Sequence, residues 1–453
     1  MNTLSQFSSS PRRALLAAAV LASFATFAAT TAAHADDSLT WNGITLSGLV
    51  DAGIAYQTHG TPLSQDMYVG LGYLIQKNSN KSITSFAPNG LSQSKILVTG
   101  KENLVEGLNG VFNLEMGFNP QSGKLADACA SLVHNNGVDI HNQTTGVDGA
   151  RCGQWFNGPA NIGLQSDQWG QLLAGRNNTL LLDAIVKYDP MGASYAFSVI
   201  GFSGATAGGG NTENTRLDDS LKYTFKHDMF HAGLLYQFGK TDSSPGEAWQ
   251  GDVGFDYKGF AIDGLFSHKK DSIAAGSLSA AQIAAGSPHD SLAATISDNT
   301  AYTLAASYTW DAWKFSGGYV HIKYENPSLP ITNPFSGLGG YYFSVINNNA
   351  FAHDKVLQVS WIGAKYSISK NWDITGAWYH YNQNSFKGNG CSDTSAASCS
   401  GTLNAYSLMT DYRLSKRFDV YAGAMWSKVS DGLASGYLHT STVDPMVGAR
   451  FKF

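Results

Sequence analysis

The stretch Asn404–Trp426, NAYSLMTDYRLSKRFDVYAGAMW, alternates with a period of two, and that period restricts what the chain can become. Tyr406, Leu408, Thr410, Tyr412 and Leu414 fall on one side, and Ser407, Met409, Asp411 and Arg413 on the other. Successive side chains of an extended backbone point to opposite faces, so the pattern is that of a strand. Ser415, Lys416 and Arg417 interrupt it, and it resumes with Phe418, Val420, Ala422, Ala424 and Trp426 on the apolar side. Two strands of about ten residues around a tight polar turn make a β-hairpin. Ordinary globular strands run to about five or six residues, whereas a tilted strand needs about nine to eleven to cross a bilayer.

The same unit recurs along the chain, giving about sixteen candidate strands, the even number that closed bacterial barrels use. The first is Ile44 to Tyr56, followed by Ser92 to Lys101 with Gly107 to Phe118. Trp155 to Ser166 with Gly170 to Arg176, Leu217 to Phe225 with Phe230 to Gly239, and Ala248 to Tyr257 with Phe260 to His268 come next. Thr300 to Trp310 with Trp313 to His321, Lys355 to Ile368 with Trp372 to Tyr381, the hairpin above and Val443 to Phe453 complete the set. Parity falters at Ser360 and Trp361, where a bulge is one reading. Short turns join the members of each hairpin, and long polar stretches such as Asn119 to Gln154, Asn177 to Thr215 and Asp271 to Asn299 join one hairpin to the next. Transmembrane barrels have this asymmetry, with short turns on the periplasmic side and long loops outside. The reading is therefore all-β: a transmembrane antiparallel up-and-down barrel facing outer-membrane lipid.

The ends and the composition agree with export. Arg12 and Arg13 precede an uncharged run, Ala14 to Ala33, that closes in Ala33-His34-Ala35, so residues 1–35 read as a cleaved export signal and 36–453 as the barrel. Losing two of 29 bases against 34 acids leaves the mature chain mildly acidic, without the basic stripe of a nucleic-acid binder. Beyond the signal no apolar run approaches the roughly 18 residues of a membrane helix, yet the chain carries 23 Phe, 21 Tyr and 10 Trp. Tyr56, Trp310, Trp313, Trp372 and Trp426 at strand ends suit interfacial girdles.

Parity places Asp51, Lys95, Lys101 and Glu115 in the lumen. A lysine or arginine on the lipid face costs about 2–4 kcal/mol at mid-membrane, so the opposite face must be wet. At about sixteen strands the interior is too wide for side chains to fill and remains an aqueous channel.

Four segments, Ser94 to Asn119, Asn161 to Gly192, Arg216 to Phe225 and Ser407 to Ala422, resemble the trimeric general porins of Gram-negative bacteria, particularly the β-proteobacterial branch. The resemblance implies a homotrimer that passes ions and small hydrophilic solutes passively, each pore constricted by an inward-folded third loop. It also implies that Arg176, after Gly175, precedes that loop; that Asp183 and Asp189 are its acidic residues; and that Arg216 is a basic wall residue. Lys95 stands where the family commonly has arginine. Lys95, Arg176, Arg216 and Lys222 are thus expected to oppose Asp183 and Asp189 across the constriction. Phe451 and Phe453 would form the signal read by the barrel-assembly machinery.

Cys129, Cys152, Cys391 and Cys399 permit three pairings; bridging within each loop is the simplest in an exported chain. No Gly-x-Ser-x-Gly, His-Glu-x-x-His or Cys-x-x-Cys is present, so no catalytic residue, metal site or cofactor is expected. A passive diffusion porin is the leading reading, and a solute-specific channel the alternative.

Overall fold

The computed structural model describes residues 39–59, 66, 81–138, 144–146, 150–200, 215–239, 246–386 and 396–453. The expected signal, residues 1–35, lies outside them.

Sixteen antiparallel strands close into a ring. In chain order they are β1 (Ile44–Gln57), β2 (Lys95–Val105), β3 (Leu108–Gly117), β4 (Ala160–Ser166), β5 (Gly170–Asn178), β6 (Arg216–His227), β7 (Phe230–Gln237) and β8 (Ala248–Tyr257). Then follow β9 (Phe260–Gly276), β10 (Leu292–Trp310), β11 (Trp313–Glu325), β12 (Lys355–Ser369), β13 (Trp372–Gln383), β14 (Gly401–Arg413), β15 (Phe418–Asp431) and β16 (Ser441–Lys452). Each pairs with its sequence neighbours, and β16 returns to β1 from Leu49↔Lys452 to Ala55↔Met446. Closure removes the two edges that an open sheet would present, which is what lets strands span hydrocarbon at all. At the short turns Asp228, Lys258 and Asp311 take the left-handed backbone, the conformation that two-residue hairpins demand.

Alternation survives along the wall. Leu234, Val253, Leu304, Ile362 and Leu408 are exposed outward, while Leu235, Thr303, Val359 and Ser407 are buried inward. Trp310, Trp313, Trp372 and Tyr412 are exposed beside the short turns, and Tyr56 and Trp426 are exposed farther from them. At Ser360 and Trp361 the register runs on unbroken. The expected irregularity is instead an inward-facing tryptophan, buried because a loop fills the lumen there.

Two of the long connections carry more structure than their polarity suggested. β9 and β10 extend beyond the expected ends to Gly276 and from Leu292, with Ile273, Ala275, Ala294 and Ile296 buried between them and neighbouring loops. Tyr341–Asn347 adds in parallel to the start of β10. Residues 194–200 form turns, not a seventeenth strand. The second wall position is split: Ile83–Pro88 pairs with the upper part of β1 and β2 with its lower part, and the chain leaves the wall at 89–94.

Candidate functional site: the lumen and its third loop

After β5 the chain turns inward. Thr179 caps the helix α1 (Leu180–Tyr188), its Oγ1 accepting from Leu182 N at 3.1 Å. Leu180, Leu181, Ala184, Ile185 and Tyr188 are buried, so the helix lays an apolar face on the inner wall. Asp183 in its first turn and Lys187 in its last both suit the helix dipole.

Polar ties then hold the segment to strand after strand. Leu180 N donates to Gln250 Oε1 at 2.9 Å on β8, Lys187 Nζ donates to Asp263 Oδ2 at 3.2 Å on β9, and Lys314 Nζ of β11 donates to Lys187 O at 3.2 Å. Trp361 Nε1 of β12 donates to Tyr188 O at 3.1 Å, and Tyr381 Oη of β13 donates to Val199 O at 2.9 Å. At the far end Ala196 N and Ser194 Oγ donate to Gly90 O at 2.9 and 3.0 Å. Gly90 lies in the stretch where the second wall position is interrupted, so the break in the wall is where the loop docks.

The residues singled out from sequence separate into two groups. Lys222 Nζ donates to Asp183 and to Asn178 O at 2.9 Å; Lys222 is buried and Asp183 about half exposed, so only the carboxylate of this pair meets the lumen. Lys95, one-third exposed, holds Glu115 Oε2 at 2.6 Å. Lys101 is exposed near the short-turn end of β2. The others are buried. Arg176 donates to Asp218 and to the carbonyls of Gly158 (3.0 Å), Ala150 (2.8 Å) and Asn157 (3.3 Å), which makes it a brace between β5 and the second loop. Arg216 is 3% exposed, and its NH1 reaches Thr215 Oγ1 at 3.4 Å. The Asp189 carboxylate accepts from Tyr379 Oη, Met191 N and Ala193 N, and it anchors the loop instead of lining the pore.

Asp51 and Glu115 have luminal parity but are sealed from water. Asp51 accepts from Leu91 N and Ser92 N at 2.8 Å each and from Tyr421 Oη at 2.6 Å. Glu115 holds Arg151 NH2 at 2.7 Å as well as Lys95. Arg151 precedes Cys152, which is disulfide-bonded to Cys129 across 5.0 Å between Cα atoms. Cys399 is also in a disulfide, and Cys391 lies outside the described residues. Phe451 is exposed; Phe453 exchanges backbone bonds with Gly48 at 2.9 and 3.0 Å.

Sequence reasoning missed a cavity of about 470 Å³ beside α1, where Asp252, Asp256 and Asp263 converge with His231 and Lys187. Ligand atoms of His231, Asp252 and Asp263 lie within 4.8 Å of one another, the spacing of a metal-ligand set. Asp263 is already engaged by His231 and Lys187, and Asp256 by Lys187 at 2.9 Å. The available signal was the recurrence of aspartates at luminal parity on β8 and β9.

The profile of the Gram-negative porin family matches residues 17–432. An outer membrane porin protein of Bordetella pertussis is 26% identical over 434 residues, covering 92% of this chain and 94% of that one. Among solved structures, the anion-selective porin from Comamonas acidovorans matches 90% of this chain and 99% of its own at 17% identity and a TM-score of 0.57. The trimer form of OmpT from Vibrio cholerae matches 90% and 99% at 12% identity and a TM-score of 0.54.

Proposed function

The chain belongs to the Gram-negative porin family, an outer-membrane channel, and from that premise we propose a homotrimer that passes ions and small hydrophilic solutes by passive diffusion, each pore narrowed by its third loop. The observation that carries the reading is a closed ring whose charged side chains face inward, with α1 pinned across that interior by bonds to β8, β9, β12 and β13. A segment so held is a fixed obstruction, and the Asp183 carboxylate, about half exposed and backed by the buried Lys222, is the charge that a passing solute meets there. Lys95 adds a cation farther along the wall. Arg176, Arg216 and Asp189 belong to the same constriction as supports that hold its shape.

The trimer form of the Vibrio cholerae relative supports the oligomeric state. Residues 1–35 are the export signal in this reading, and the terminal Phe451 and Phe453 are what the assembly machinery recognises. Single-channel recording of the purified protein with a sugar-size exclusion series tests the proposal. Stepwise conductance blocked by small but not large sugars is expected, and silent bilayers would overturn it.

A further inference from the structure

Three residues on adjacent strands stand in one row across the inner wall: His231 of β7 is paired with Gly254 of β8, and Gly254 with Asp263 of β9. Neighbouring strands are about 4.8 Å apart, so the backbones of His231 and Asp263 are about 9.6 Å from each other. Their side chains nevertheless meet, His231 Nε2 on Asp263 Oδ1, because the residue between them has no side chain. A Cβ at Gly254 would collide with both of those atoms, and one at Gly233 would collide with Asp252 Oδ1. Alternation along β8 puts Asp252 and Asp256 on the same inward face, one on each side of Gly254. An imidazole and three carboxylates therefore ring a single bare stretch of backbone.

This ring is short of partners. A neutral imidazole carries one N–H, yet Nε2 faces Asp263 while Nδ1 lies 3.3 Å from Asp256 Oδ2 and makes no hydrogen bond. Asp252 Oδ1, equally shielded from water, accepts no hydrogen bond either. Five aspartates line the cavity against Lys187 and Lys226, so even with Lys222 behind Asp183 two negative charges are left over when His231 is neutral. A nitrogen and an oxygen bound to one tetrahedral zinc ion, at about 2.0–2.1 Å and 2.0–2.2 Å, stand about 3.4 Å apart. The separation of His231 Nδ1 and Asp256 Oδ2 is of that size. Ligand atoms of His231, Asp252 and Asp263 lie within 4.8 Å of one another.

We propose that this cluster binds a first-row transition dication such as zinc through His231 and the carboxylates of Asp252 and Asp263, with Asp256 completing the set. An imidazole among carboxylates suits such an ion better than calcium or magnesium, which take oxygen ligands throughout. Lys187, in the last turn of α1, sits on Asp263 and Asp256, so the ion and the ammonium compete for the same oxygens. Occupancy of the site is thereby linked to the grip of the wall on α1.

Equilibrium dialysis of Zn²⁺ against the full-length protein in detergent, after EDTA treatment, tests the site, with heat-modifiable migration as the check on folding. Wild type should bind zinc, and His231→Gln and Asp252→Asn should each weaken that binding by about tenfold or more. Lys187→Gln, which removes the competing ammonium, should strengthen it. Should His231→Gln give no folded barrel, Asp252→Asn carries the comparison. Wild type that takes up no zinc, substitutions at 231 and 252 that leave binding unchanged, or a Lys187→Gln protein that binds no tighter than wild type would overturn the site. Binding is read without any current, so silent bilayers would defeat the channel reading and leave these results standing.

Discussion

Tyr379 on β13 donates its hydroxyl to Asp189 Oδ1 at 2.6 Å, and this contact fixes the point where the third loop leaves its helix and crosses to the far wall. Both residues are buried. The carboxylate also accepts from Met191 N at 3.2 Å and Ala193 N at 2.8 Å, so one side chain closes the turn and fastens it to the barrel. A hydrogen bond to a charged group contributes about 1.5–3 kcal/mol, and an orphaned buried acceptor costs about as much again. Tyr379→Phe should therefore leave the barrel intact while loosening the loop. Increased open-channel current noise in bilayers is the expected result; a trace as quiet as wild type would show that the loop is held elsewhere.

Arg176 shows how a charge can be near a pore without acting on its ions. It is 7% exposed and spends its donors on Asp218 and three carbonyls of the second loop. Arg176→Ala should leave the salt-gradient reversal potential unchanged while lowering the urea midpoint of the folded barrel. A shift in reversal potential comparable to that of an Asp183→Asn variant would place the guanidinium on the ion path after all.

Period-two patterning made the wall readable because hydrocarbon on one side and water on the other sort residues along every strand. It could not say which inward residues meet water. Asp51 and Glu115 read as luminal charges because parity reports direction only, and Asp189 did so through the family resemblance; a loop packed against the inner wall converts direction into burial. Trp361 is the same lesson from the other side, an aromatic facing inward because the helix end at Tyr188 waits for its indole N–H. The helix itself had a signal in Thr179 followed by Leu180, Leu181, Leu182, Ala184 and Ile185. That signal sat inside a long connection whose overall polarity masked it.

The second loop offers a comparison between two cations on one acid. Glu115 is paired with Arg151, 2% exposed, and with Lys95, 32% exposed. Removing one partner of a buried pair costs about 3–5 kcal/mol, whereas a solvent-screened partner contributes about 1 kcal/mol or less. Arg151→Met should lower the urea midpoint far more than Lys95→Met. Equal losses would mean that the loop does not seal Glu115 from water.

Asp127, which caps the short helix Ala128–His134 in that loop, carries a pH dependence of definite sign. Burial pushes its carboxyl above the usual carboxylate range, against the opposing pull of bonds from Ala130 N at 2.9 Å and Tyr341 Oη at 2.8 Å. The native chain then holds this proton more tightly than the unfolded chain. Its contribution is present below the unfolded carboxylate value and is lost as pH rises through the folded one. Asp127→Asn keeps the cap and removes the charge, so it should match wild type in acid and be the more stable protein at neutral pH. Greater loss for the variant at neutral pH than in acid would reverse the sign.

Asp51 and Tyr421 close the account of the split strand. Leaving the wall at 89–94 strips the Leu91 and Ser92 amides of strand partners, and Asp51 supplies both replacements from one oxygen while Tyr421 Oη occupies the other at 2.6 Å. Buried amides left without acceptors cost about 1–3 kcal/mol each, so Asp51→Ala forfeits several kcal/mol where Tyr421→Phe forfeits about 1–2. The same excursion presents Gly90 O to Ala196 N and Ser194 Oγ, so its loss also unfastens the far end of the third loop. Asp51→Ala should therefore combine a lower urea midpoint with a larger single-channel conductance, and Tyr421→Phe should show a small fraction of both. If Asp51→Ala lowered stability with conductance unchanged, the excursion would be a feature of the wall alone, and the loop would be positioned by β12 and β13 without it.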